Sequence, residues 1–425
     1  MASSASSGES YRLNHHLREL TRCLTRRINS PVAAQQDTSS PLDGHDQALD
    51  VVVTLNEVND RHGTGPLIKR LYQGNPNVLA IRSRNHYGEH DFGAWDAMLP
   101  QQGKSRRQAF HDVIKLLLGR RIRNVLCVPY DADEIITALA VKEVFGARMC
   151  AYIMDDQNVA VEVVPDQLMR EFLEKCSLRL ATHPELAGVY EQKYGLPFHI
   201  LPAIVPAHLI RTVPEMREIP QSSSKAALLG SFWDQSWFDR LCDILSTCNC
   251  QIDWYGNNRS PWFKFPPDDL QRAGITPLGV VTEDRLAVEL RRYPFIIIPV
   301  GLLDSDEHNK GVASLSLPGR ILFALAVSHT PLLLVGSDQT CGARFVKHFG
   351  LGEVVPYEAG SVKGAMERLS DPQRRADIIR NAARLAPHFS DAGVAQWLEQ
   401  SIELGEPADQ RFEAVFTGYD RSLAF

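Results

Sequence analysis

The chain has 425 residues, of which 44% are hydrophobic and 23% charged, and carries a formal net charge of −6. That length exceeds what one ordinary core needs, so two domains are expected, and the absence of a bulk positive field excludes a protein built to hold nucleic acid. Eight cysteines scattered through apolar segments such as NVLCVPY and ARMCAY fit reduced, buried thiols better than a disulfide framework. The cluster Cys242, Cys248 and Cys250 has no second ligand pair at zinc spacing, so neither a metal nor a resident cofactor is expected.

From the start of the chain, MASSASSGES lacks the apolar core of a secretory signal, and a cytoplasmic address is the expectation. In residues 11–28, Leu13, Leu17, Leu20, Leu24 and Ile28 recur at helical spacing among Arg12, Arg18, Arg22, Arg26 and Arg27. Two readings fit: a helix docked on its own domain, or one lying on the inner face of an anionic membrane. Residues 30–46 then read as a linker. No apolar run is expected to reach bilayer length.

From Leu49 the chain alternates strand-like and helix-like segments. LDVVVTL, NVLAIRS, NVLCVPY, ARMCAYIM, LRLATH and FHILPAI predict a first parallel sheet covered on both faces. Prolines and a serine run near residues 207–224 predict a connection, after which AALLGSF, QIDWYGN, ITPLGVV, FIIIPV, PLLLVGS and GEVVPY predict a second sheet. The expectation is an α/β chain: residues 1–47 as helix and linker, 48–206 and 225–385 as two Rossmann-like, doubly wound domains facing a cleft, and 386–425 as a helix crossing back to the first domain and a tail. Ligands of open α/β sheets gather outside the carboxyl ends of the strands, which places the site in that cleft.

Four stretches in this order resemble the GT-B glycosyltransferases, in particular those grouped as family 4. They are VTLNEVNDRHGTGPLIKRL, AYIMDDQ, LRLATHPELAGVYEQKYGLPFHILP and SLSLPGRILFALAVSHTPLLLVGS. The resemblance implies metal-independent transfer of a sugar from a nucleotide-diphosphate sugar, a co-substrate held by the second domain, to a hydroxyl acceptor such as a glycan or lipid-linked glycan held by the first. A departing diphosphate needs cations and free backbone N–H groups at a helix start. Ser314, Ser316, Gly319 and Arg320 around Pro318 fit that need, with Lys310 a further cation. Position at strand ends adds Gly230, Ser231, Gly256, Asn257, Val281 and Thr282 as donor-binding candidates.

In the first domain, Asp156 and then His62 are the candidate bases, since an acceptor hydroxyl must lose a proton as it attacks. Helix capping is the competing reading for the Asp155–Asp156 pair, and a loop hydrogen bond for His62. Gly63, Gly65, His90, Trp95 and Asp155 are the acceptor-side candidates, with Trp95 offering a ring to a sugar. The sequence also departs from the family: Ala313 and Phe323 stand where acidic residues flank the donor loop, and LLGSFWDQSWF offers no cation before Arg240. Arg320, Lys310 or Arg259 must then meet the diphosphate. Two other functions share the fold: a sugar-nucleotide epimerase, and a catalytically silent subunit that binds glycans or a partner protein.

Overall fold

The computed structural model describes residues 48–61, 63–215, 225–232, 234–248, 250–257, 264–304 and 310–421. The basic segment 11–28, His62 and Arg259 lie outside them. The first lobe runs β1 (Leu49–Thr54), α1 (Thr64–Leu71), β2 (Val78–Arg82), β3 (Trp95–Met98), α2 (Arg106–Leu117), β4 (Ile122–Cys127), α3 (Ala132–Phe145), β5 (Arg148–Ile153), α4 (Asp166–Lys175), β6 (Leu178–Ala181), α5 (Pro184–Tyr194) and β7 (His199–Ile200). Its seven strands form a parallel sheet in the order β3-β2-β1-β4-β5-β6-β7. All six residues of β1 are buried, as a strand covered by helices on both faces requires.

Local chemistry sets the helix ends. Ser105 with Gln108 closes a capping box on α2, and Asp131 with Glu134 does so on α3. Gly146 and Gly195 end α3 and α5 in the left-handed conformation. The segment FHILPAI narrows to His199–Ile200, since Pro202 cannot donate to a ladder. The sheet also gains a strand that the sequence disguises. Trp95–Met98 is a half-exposed edge strand behind the breaker Asp-Phe-Gly, too short and too polar to read as core.

The second lobe runs β8 (Lys225–Leu229), α6 (Gln235–Cys248), β9 (Gln251–Tyr255), α7 (Pro267–Arg272), β10 (Ile275–Gly279), α8 (Glu283–Glu289), β11 (Ile296–Pro299), α9 (Lys310–Ser314), α10 (Gly319–Ser328), β12 (Leu332–Val335), α11 (Cys341–Phe349), β13 (Gly352–Val355), α12 (Ala359–Ser370) and α13 (Pro372–Leu385). Its parallel sheet has the order β10-β9-β8-β11-β12-β13. One apolar cluster spans both lobes, from Val51 through Ile296 and Phe345 to Phe416; a second fills the far side of the second sheet around Phe238 and Trp254. Lys310–Ser328 has the length and the mean hydropathy, 1.5, of a membrane span, contrary to expectation. It is two helices broken before Pro318, and Ile321–Val327 is buried in the second lobe.

After α13 the chain returns to the first lobe. α14 (Val394–Leu404) packs on α1 and β5, burying Trp397, and its Glu399 pairs with Arg123. The outgoing and returning crossings lie side by side: Val205 N–H donates to Phe389 C=O (2.7 Å), Asp391 N–H to Val205 C=O (2.9 Å) and Ala207 N–H to Asp391 Oδ1 (2.8 Å). Farther along, Arg211 N–H donates to Ala326 C=O of α10 (2.9 Å), and His329, left-handed at φ 56°, donates from Nε2 to Arg211 C=O (3.0 Å).

Candidate functional site

Each sheet changes winding direction once, between β1 and β4 in the first lobe and between β8 and β11 in the second. In the second lobe, Arg320 sits at that point. Its Nη1 donates to Ser231 C=O beyond β8 (2.6 Å) and its Nη2 to Pro299 C=O at the end of β11 (3.1 Å). Nε is buried without an acceptor, and no carboxylate among the described residues pairs with the guanidinium. Burial pushes its pKa down to about 10, so the group stays charged at neutral pH while lacking a counter-anion. Arg320 is the second residue of α10, whose N-cap, Pro318, supplies no side-chain acceptor. Ile321 N–H already donates to Pro318 C=O (2.9 Å), which leaves the Gly319 and Arg320 amides at the start of α10 as the ones that could meet an anion.

Glycines shape the floor of this site. Gly230 has φ 93°, and a Cβ there would lie 2.5 Å from Arg320 Nη1; at Gly256 one would lie 2.2 Å from Gly230 O. Trp254 Nε1 donates to that same Gly230 oxygen (2.8 Å), fixing the turn after β8. Asn257 follows at the end of β9, half-buried. Val281 and Thr282 follow β10, and Thr282 caps α8 by accepting from Arg285 N–H. Ser314 donates to Gly311 C=O (2.8 Å) within α9, Ser316 C=O accepts from Gly342 N–H (3.1 Å), and Lys310 is exposed at the start of α9. Ser316, Pro318 and Arg320 line one narrow recess with Trp237, Val300 and Gly301.

The first lobe places Asp155, Tyr130 and Thr64 together at the carboxyl edge of its sheet, beside its own change of winding. Tyr130 Oη donates to Asp155 Oδ2 (2.7 Å) and lies 3.5 Å from Thr64 Oγ1. Burial, followed by the neighbouring Asp156 charge against the Tyr130 bond, raises the Asp155 pKa above the usual carboxylate value. Tyr130 is the residue that sequence reasoning missed; its signal was its place just after β4. Asp156 does not fit the role of base first given to it. Its Oδ1 accepts from Asn158 N–H (3.1 Å) and Val159 N–H (2.8 Å) and its Oδ2 from Ala160 N–H (2.7 Å), so the buried carboxylate organises a loop and has little left for a substrate hydroxyl.

Two acceptor-side expectations are corrected in the same way. Trp95 opens β3, at the amino edge of a parallel sheet and so away from the cleft, with the Arg120 guanidinium 5.2 Å from its ring centre. His90 staples a loop: Nδ1 accepts from Val58 N–H (3.2 Å) and Nε2 donates to Phe92 C=O (2.7 Å), leaving no ring nitrogen for an acceptor. Gly65 is required by packing, since a Cβ would lie 1.9 Å from Asn59 O, whereas Gly63 faces open space.

The lobes meet closely. A Cβ on Gly311 would lie 2.0 Å from Ala160 Cβ, and one on Gly319 3.1 Å from Ala203 Cβ. Arg70 of α1 pairs with Glu283 at the head of α8. Next to the Ser316–Gly342 contact, His183, Glu185 and Cys341 bring one ligand atom each within 4.8 Å of one another, all buried.

At the level of sequence, no family profile and no curated protein matches the chain. Solved structures do. HepE of Anabaena, in complex with UDP and glucose, superposes with a TM-score of 0.57 at 12% identity over 84% of this chain and all of that one. WaaG, a glycosyltransferase involved in lipopolysaccharide biosynthesis, gives 0.54 at 13% identity over 84% of this chain and 99% of its own. A Listeria monocytogenes protein described as a UDP-N-acetylglucosamine 2-epimerase gives 0.52 at 10% identity over 89% of this chain and all of its own. Together with the two parallel sheets and the returning helix, these similarities show that the chain has the GT-B fold.

Proposed function

We propose that the chain is a glycosyltransferase that moves a sugar from a nucleotide-diphosphate sugar to a hydroxyl acceptor. The observation that carries this reading is Arg320: a charged guanidinium with no carboxylate partner among the described residues, at the start of α10 and at the winding change of the second sheet. A leaving diphosphate supplies the missing anion, and fixed dipoles and a cation aimed at developing charge stabilise the transition state. HepE, a structural neighbour solved in complex with UDP and glucose, supports a nucleotide-sugar ligand for this fold. On the acceptor side, Asp155 takes the proton of the attacking hydroxyl, and Tyr130 holds its carboxylate in place. Asp155→Asn is expected to lower kcat by roughly 10²- to 10⁴-fold with donor affinity nearly unchanged.

Thermal shifts of the full chain with UDP, GDP, ADP, CMP and TDP test the donor half. A nucleotide at a hundred times its Kd stabilises by ~2.7 kcal/mol, a visible rise in Tm. Silence with every nucleotide would overturn the transfer reading and favour the glycan- or protein-binding subunit. The epimerase reading rests on the similarity to the Listeria protein; conversion of one nucleotide sugar into another without any acceptor would establish it. The proposed setting is cytoplasmic, with the basic segment 11–28 docked on its own domain; contact of that segment with an anionic membrane is the second reading. Co-sedimentation with anionic vesicles, lost when residues 1–47 are removed, tests it.

A further inference from the structure

His183, Glu185 and Cys341 are not part of the site above. His183 and Glu185 come from the carboxyl end of β6 and the head of α5 in the first lobe, and Cys341 is the first residue of α11 in the second. Their exposures are 1%, 1% and 0%. Thr182 Oγ1 donates its hydrogen to Met154 C=O (3.1 Å), so at 3.0 Å from His183 Nδ1 it accepts. The proton therefore sits on Nδ1, and the Nε2 lone pair is buried in the seam without a hydrogen-bond partner. Tyr419 Oη donates to Glu185 Oε1 (2.6 Å) and orients that carboxylate. The trio gathers an imidazole lone pair, a carboxylate oxygen and a thiol sulfur within 4.8 Å.

An orphaned lone pair in a dry seam is costly unless something accepts it. We propose that His183 Nε2, Glu185 and Cys341 Sγ bind a divalent transition cation, zinc being the best match to mixed N, O and S donors, and that this ion ties the two lobes together. Both second-layer partners that metal ligands commonly have are present: Thr182 fixes the histidine tautomer and Tyr419 the carboxylate. The ion takes Cys341 as the thiolate and the thiol proton leaves to solvent. The head of α11 favours that thiolate as well.

The test uses the full chain stripped with a chelator and titrated with Co²⁺, then Zn²⁺, without nucleotide, so its outcome is independent of the transferase reading. One equivalent of Co²⁺ should give a sulfur-to-cobalt charge-transfer band in the near ultraviolet, erased by Zn²⁺ and absent from Cys341→Ser. Thr182→Val, which keeps every ligand, should weaken binding by roughly 10- to 100-fold. Zn²⁺ should raise the Tm of the wild type and not that of Cys341→Ser. Should Cys341→Ser not fold, Glu185→Gln and Thr182→Val carry the comparison. A folded wild type that shows no charge-transfer band, or a band unchanged in Cys341→Ser, overturns the proposal and leaves a hydrogen-bonded plug in the seam.

Discussion

At the scale of the residue, two ionisable groups decide opposite things. Arg320 is half-buried and keeps its charge with no carboxylate partner among the described residues, an arrangement that favours the anion-bound protein. Arg320→Met preserves much of the stem and removes the charge; nucleotide affinity should fall by about 1.5–3 kcal/mol, roughly 10- to 100-fold by titration calorimetry. Glu134 works on stability. Burial raises its pKa from 4.5 to about 7 against hydrogen bonds from Ser83 and the Asp131 amide. The unfolded chain therefore releases this proton first as pH rises, and stability declines between about pH 4.5 and pH 7, by up to about 3 kcal/mol, then levels off. Glu134→Gln should flatten that stretch of a Tm-against-pH curve; an unchanged slope would place the titration elsewhere.

At the scale of the element, α14 is the piece most exposed to a simple test. Trp397, 1% exposed, sits edge-on to Phe412 and covers the first lobe's helices and strands from outside. Trp397→Ala should cost about 3–5 kcal/mol in chemical denaturation while leaving the second lobe's own packing intact. Elements of this kind were legible in the chain. Runs such as VVV in β1 and LLLV in β12 name buried parallel strands, and Ser105, Asp131 and Gly195 name helix ends, because one local rule dominates at each. What sequence left hidden has a common cause. Trp95 looked like a stacking platform because its strand is short and half-polar, and only pairing with β2 shows which edge of the sheet it occupies. Asp155 and Asp156 are adjacent and chemically alike; the turn after β5 gives one a phenol partner and the other three amides, a distinction set by tertiary geometry. Arg320 could be read from its loop, yet the carbonyls it spans lie 89 and 21 residues away in the chain.

At the scale of the whole molecule, an apolar cluster continuous across both lobes makes them one cooperative body. A single calorimetric transition is expected, and two resolved transitions would contradict it. Gly311 tests the closed arrangement: Gly311→Leu places a branched side chain where Ala160 already stands, so the scattering radius should grow. Turnover should drop by about 10²-fold, the order of loss that an ångström of misplacement brings, while nucleotide affinity changes little. The manner of opening is written in the crossings. Val205–Ala207 and Phe389–Asp391 are stitched to each other as a two-ply strap, and Arg211 is clipped to the rear of the helix that begins with Gly319. A strap of two bonded plies bends along its width but resists shear, so opening of the lobes, if scattering detects it on nucleotide removal, is expected to follow one hinge arc rather than a sliding path.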